Sequence, residues 1–164
     1  MDLSKIKLVA TDCDGVLTDG GIYYLESYGE IKKFNVLDGI GFLALHEIGI
    51  KTAIITASDN EIIQRRGNKL KVDEIIMGES NKLSALYHLC NKYNITLENI
   101  AYIGDDYADI PSIQKCGFGC APSGSLDEVI KEADYVTIRS GGNGCFREVA
   151  NLILKEMCVN YPNL

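Results

Sequence analysis

Short apolar runs alternate with segments of helical spacing from one end of the chain to the other, and this narrows the possible folds more than any other feature. The runs cover residues 6–11, 52–56, 73–77, 100–104 and 117–121, with a shorter one at 135–138. They are continuously apolar rather than alternating, so the strands they predict have both faces buried. Helices are predicted between and after them, over 37–48, 59–70, 81–93, 107–115, 126–133 and 143–157. Gly49 supplies a stop for the first, and Ser125 a cap for the fifth. Strands separated by helices form a mainly parallel sheet with right-handed crossovers and helices on both faces. In such a three-layer sandwich ligands lie beyond the carboxyl ends of the strands, near a point where the strand order reverses.

One stretch breaks the alternation. Residues 20–25 and 30–34 flank the turn-like Glu26-Ser27-Tyr28-Gly29 and predict a β-hairpin after the first strand. Its tyrosines and isoleucines are too apolar for a lone ribbon in water, so it is expected to pack on something, a second subunit included. The 164 residues suit a single domain spanning 1–164. A net charge of −7 argues against a nucleic-acid or anionic membrane partner. The first apolar run ends at Ala10, far short of the roughly 20 residues of a spanning helix. Six cysteines without a C-x-x-C pair, and two histidines, argue against zinc and for a reduced, cytoplasmic protein.

The chemistry gathers after the strands. The first run ends in Asp12-Cys13-Asp14-Gly15, and the fourth in Gly104-Asp105-Asp106 with Asp109 one helical turn later. Each cluster alone has an ordinary reading, the first as an Asp-Gly turn and the second as an acidic helix start. Together, at the carboxyl ends of parallel strands, they converge on one crevice, and their repulsion calls for a divalent cation; oxygen donors favour Mg²⁺. Thr56, at the end of the second run, offers a hydroxyl, and Lys82, opening the third helix, offers a mobile ammonium. Taken singly these are a turn residue and a solvated lysine.

In the order acid pair, threonine, lysine, acid pair, these residues resemble the four motifs of the haloacid dehalogenase superfamily. The resemblance implies the Rossmann-like fold of that superfamily and an Mg²⁺-dependent phosphotransferase. Asp12 is then the nucleophile and Asp14 the general acid/base. Thr56 and Lys82 bind the phosphoryl group. The metal is held by Asp12, Asp105 and the carbonyl of Asp14, with Asp109 steadying the site and Asp106 behind it. Cys13, between the two acids, is expected to face the core.

The gaps between motifs are too short for a cap domain. With Phe34-Asn35-Val36-Leu37-Asp38-Gly39, Gln64-Arg65-Arg66 and Gly141-Gly142-Asn143-Gly144, the chain is similar to the capless tetrameric phosphatases of eight- and nine-carbon 2-keto-3-deoxy sugar acids. That similarity implies a phosphorylated sugar acid as substrate, and a homotetramer joined through the hairpins in which a neighbour closes each active site. Arg66 and Lys69 are its candidates for the substrate carboxylate, or an ordinary basic helix face. Asp38 caps its helix or lines the pocket. The 141–144 stretch reads as a mobile loop beside a neighbour's site. Ala57-Ser58 stands where such enzymes carry glycine followed by arginine or an acid, so these two substrate-contact positions leave the sugar open. The competing readings are a phosphatase for another small metabolite, an idle domain that keeps the fold, and a signalling receiver, which the acid placement disfavours.

Overall fold

The computed structural model describes residues 2–27 and 29–158. Tyr28 of the predicted hairpin turn and residues 159–164 lie outside that range. Six strands form one sheet: β1 (Leu8–Thr11), β4 (Lys51–Ile55), β5 (Glu74–Ile76), β6 (Ile100–Ile103), β7 (Phe118–Ser123) and β8 (Tyr135–Ser140). Their order is β5-β4-β1-β6-β7-β8 and every neighbouring pair is parallel. From β1 the chain first builds outward through β4 and β5, then returns to place β6 on the other side of β1. The reversal of strand order therefore falls between β1 and β6.

The period of two along β1 assigns its side chains to two cores. Val9 joins one face, packed by α1 (Val36–Glu47), α2 (Glu61–Lys69) and α6 (Cys145–Glu156); Leu8 and Ala10 join the other, packed by α3 (Lys82–Tyr93), α4 (Ile110–Lys115) and α5 (Asp127–Glu132). On the first face Phe42 of α1 stacks on Phe146 of α6, with ring centroids 3.9 Å apart. On the second, Leu86 and Leu89 of α3 pack with Tyr102 of β6. Burial on both faces is what continuous apolar runs require.

The hairpin is present but short. β2 (Tyr23–Leu25) and β3 (Gly29–Ile31) form a separate antiparallel pair. Gly20, with φ of 75°, keeps the preceding residues in a turn. Ile22, Tyr23, Tyr24, Leu25 and Ile31 are all exposed. The helix predicted over 107–115 starts with a tight turn at Tyr107–Asp109, and only Ile110–Lys115 is α-helical. Asp106 and Asp109 cap that turn reciprocally, and Pro111 sits where a missing N–H costs nothing. The helix predicted from 143 starts at Cys145, because Gly144 takes a left-handed φ of 99°. No described helix is long and apolar enough to cross a membrane.

Candidate active site

The last residues of β1 and β6 pair Thr11 with Ile103, so the loops that follow leave the sheet side by side. Asp12 belongs to the first loop, and its amide donates to the Ile103 carbonyl at 2.9 Å. Asp105 and Asp109 belong to the second. One carboxylate oxygen from each of Asp12, Asp105 and Asp109 lies within 4.8 Å of the others. Gly15 turns back towards them with φ of +84°, and a Cβ there would fall 1.9 Å from Asp105 Oδ2. A side chain at this position would fill the space in front of the carboxylate.

Asp109 is the buried hub. Its Oδ2 accepts the amides of Asp105 (3.0 Å) and Asp106 (3.1 Å), and its Oδ1 accepts the Tyr102 hydroxyl at 2.6 Å. Lys82, at the start of α3, reaches in from the other side. Its Nζ is 2.9 Å from Asp12 Oδ1 and 3.6 Å from Asp109 Oδ1, and donates to the Ile55 carbonyl at 3.0 Å. The sequence suggests a mobile ammonium; the structure buries it and holds it by three groups. Cys13 faces the core, where burial pushes its thiol well up.

One lysine does not balance three carboxylates. Burial, then the nearby Asp109 charge, pushes Asp12 up to about 6; burial, then Asp109 and Asp12, pushes Asp105 up to about 7. Asp105 Oδ1 is buried without a hydrogen-bond partner among the described residues. An orphaned carboxylate oxygen, two acids beside it and a glycine clearing the approach suit a hard divalent cation.

Asp14 stands apart from this group. Its Oδ1 accepts Lys32 Nζ at 2.7 Å and the Thr18 hydroxyl at 3.3 Å. The sequence places it among anions, whereas the groups that touch it are a buried cation and a hydroxyl. Thr56 follows β4 directly and is buried, with its Oγ1 accepting the Ser58 amide at 3.2 Å. Ala57 is exposed and Ser58 partly so. Asp106 accepts the Tyr107 amide and starts the turn behind the site.

Other predicted residues are placed elsewhere. Asp38 does cap a helix, but not its own. Asn35 caps α1, while Asp38 is buried against the start of α6 and accepts the Arg147 amide at 3.1 Å. Arg66 donates to the Asn35 carbonyl at 3.0 Å and lies over the Phe34 ring, joining α2 to α1. Lys69 is exposed at the end of α2. The 141–144 loop is pinned to its own chain: the Gly142 amide donates to the Val16 carbonyl at 2.9 Å, and a Cβ on Gly141 would meet the Gly15 carbonyl at 1.9 Å.

Two consecutive lysines went unread in the sequence. Lys32 bridges Asp14 and Glu30, and Lys33 pairs with Asp19 at 2.7 Å. Both leave the hairpin and grip the loop after β1 at its two ends. Beside Asp105 opens a cleft of about 270 Å³, walled by Gly15 and Asp19 and by Ser123, Ser125, Ser140 and Asn143 at and just past the ends of β7 and β8.

A family model described as haloacid dehalogenase-like hydrolase matches residues 32–148. Among curated proteins, the 3-deoxy-D-manno-octulosonate 8-phosphate phosphatase KdsC of Escherichia coli K12 is 41% identical over 150 residues, covering 92% of this chain and 80% of that protein. The enzyme of the same name from Haemophilus influenzae is 37% identical over 153 residues, covering 93% and 85%. Among solved structures, the Moraxella catarrhalis phosphatase of that name, in complex with magnesium, phosphate and KDO, superposes with a TM-score of 0.92 at 42% identity, covering 94% of this chain and 89% of that one. A cobalt-bound form of the Haemophilus influenzae enzyme gives a TM-score of 0.92 at 36% identity, covering 96% and 92%.

Proposed function

This chain belongs to the haloacid dehalogenase-like hydrolases, and from that premise we propose that it is a divalent-cation-dependent phosphatase of a phosphorylated 2-keto-3-deoxy sugar acid. The observation that carries the reading is the convergence of Asp12, Asp105 and Asp109, with Lys82 2.9 Å from Asp12. Magnesium, present in the Moraxella relative, suits the carboxylates of Asp12 and Asp105 and the carbonyl of Asp14. When bound it offsets the charge of the acids and of the phosphoryl oxygens.

Asp12 is the nucleophile. Its Oδ1 takes both the Cys13 amide and the Lys82 ammonium, which turns Oδ2 to the substrate. In the first step the Oδ2–P bond forms and the P–O ester bond breaks, and Asp14 gives its proton to the departing alkoxide. In the second, Asp14 takes a proton from water as its oxygen attacks phosphorus, and the Asp12–phosphate bond breaks to release inorganic phosphate. Thr56 keeps a hydroxyl proton to donate to the phosphoryl group, because its oxygen already accepts the Ser58 amide. Lys82 compensates charge in both steps.

The cleft beside Asp105 receives the sugar, and its serine and asparagine side chains suit a polyhydroxylated ligand. Lys69, exposed at the end of α2 where Arg66 is engaged, is the residue we assign to the substrate carboxylate. The chain acts in the cytoplasm as one domain and assembles as a homotetramer. The exposed Tyr23, Tyr24, Leu25 and Ile31 of the hairpin supply the contact through which a neighbour closes each cleft. An eight-carbon acid is the favoured substrate, as the relatives are octulosonate enzymes.

A Mg²⁺-supplemented panel tests this. It compares 3-deoxy-D-manno-octulosonate 8-phosphate, a nonulosonate 9-phosphate, glucose 6-phosphate and a nucleoside monophosphate. The expected result is a kcat/KM for the octulosonate ester at least about tenfold above the neutral sugar. Equal values across the panel would overturn the sugar-acid assignment. Turnover surviving in Asp12→Asn would overturn the nucleophile.

A further inference from the structure

Lys32 is buried, with a side chain only 3% exposed, although it lies just past a hairpin strand whose own residues are largely in solvent. An ammonium taken out of water is costly unless carboxylates surround it. Here two do: Asp14 Oδ1 at 2.7 Å and Glu30 Oε1 at 2.9 Å. Lys82 meets the other acid of the same loop in the same way, 2.9 Å from Asp12. The fold thus provides each of the two acids with its own buried lysine, one from α3 and one from the hairpin.

We propose that Lys32 is a positioning residue for Asp14, with Glu30 holding the lysine in place. The inference rests on the acid/base reading of Asp14. Lys32 and the Thr18 hydroxyl both contact Asp14 Oδ1, so the carboxyl group is fixed by one oxygen and presents Oδ2. An ammonium has three donors and no acceptor, so Oδ1 must accept from it whether or not Asp14 is protonated. The transferable proton is thereby confined to Oδ2. Lys32 neither touches substrate nor moves a proton. Because it follows β3 directly, the setting of the acid is tied to the setting of the hairpin.

The test separates leaving groups. The purified protein is assayed with Mg²⁺ on the alkyl phosphate it hydrolyses best and on p-nitrophenyl phosphate, whose phenolate departs without a proton. The quantity read is kcat/KM, which reports transfer to Asp12 and not the later hydrolysis. Lys32→Met is expected to lower it about 30-fold on the alkyl ester, part of the 10²–10⁴-fold range of acid catalysis, and less than about threefold on the aryl ester. Lys32→Arg restores most of the loss. In an Asp14→Asn background, Lys32→Met adds nothing. Should Lys32→Met not fold, Glu30→Gln carries the test, with a smaller loss again confined to the alkyl ester. Equal losses on both esters, or a further loss on top of Asp14→Asn, would overturn the proposal. Alkyl turnover untouched by Asp14→Asn alone would instead overturn the acid/base reading beneath it.

Discussion

The Asp105 amide donates to the Asp109 carboxylate at 3.0 Å, so one acid of the site grips the backbone that carries another. With the Asp106 amide and the Tyr102 hydroxyl, Asp109 satisfies three donors in a position that water does not reach. Asp109→Ala leaves all three without a partner, and a loss of about 3 kcal/mol of stability is expected. A urea unfolding curve measures it, and an unchanged midpoint would contradict the role of Asp109 as a hub.

Asp12 and Asp105 both contribute to the pH dependence of the metal-free protein. Burial and neighbouring acids lift them from an ordinary 3.8 to about 6 and about 7. Between about pH 4 and pH 7 the folded protein therefore holds protons that the unfolded chain has released, and the contribution of these groups to stability falls as pH rises. Below that window both states are protonated and the contribution is flat. A divalent cation competes with the same protons. Added Mg²⁺ should raise the thermal midpoint more at pH 8 than at pH 5, and a shift independent of pH would detach metal binding from this pair.

Gly15→Ala tests the space in front of Asp105. The added methyl group would lie 1.9 Å from Oδ2, at a φ of +84° that side chains rarely adopt. Metal affinity, read by calorimetry, should fall at least about tenfold, the equivalent of 1.4 kcal/mol. Unchanged affinity would place the cation elsewhere.

Asp38→Ala separates capping of α6 from a place in the substrate pocket. Because its carboxylate caps α6, the substitution should cost about 2 kcal/mol in a denaturation experiment and leave KM within about twofold. A raised KM with intact stability would return Asp38 to the substrate pocket.

The strands and the two acid clusters were legible because each rests on a local signal: a run of apolar residues, or carboxylates just past its end. The partners of those residues were not. Lys32 lies 18 positions from Asp14, Arg66 31 from the Asn35 carbonyl, and Asp38 109 from the Arg147 amide. Periodicity carries no information about contacts that form only when the hairpin folds onto the first loop or α6 onto α1. Lys32-Lys33 therefore reads only as part of a hairpin leg, and nothing local shows that Lys32 is buried against Asp14.

The strand order also divides labour within the molecule. The clustered acids follow the two middle strands, while Ser123, Ser125, Ser140 and Asn143 lie at or just past the ends of the last two. Loops at the rim of the sheet can be redrawn without disturbing its centre. Descendants of such a chain could change which ester they accept by altering a few rim residues, and inherit the bond-breaking apparatus intact.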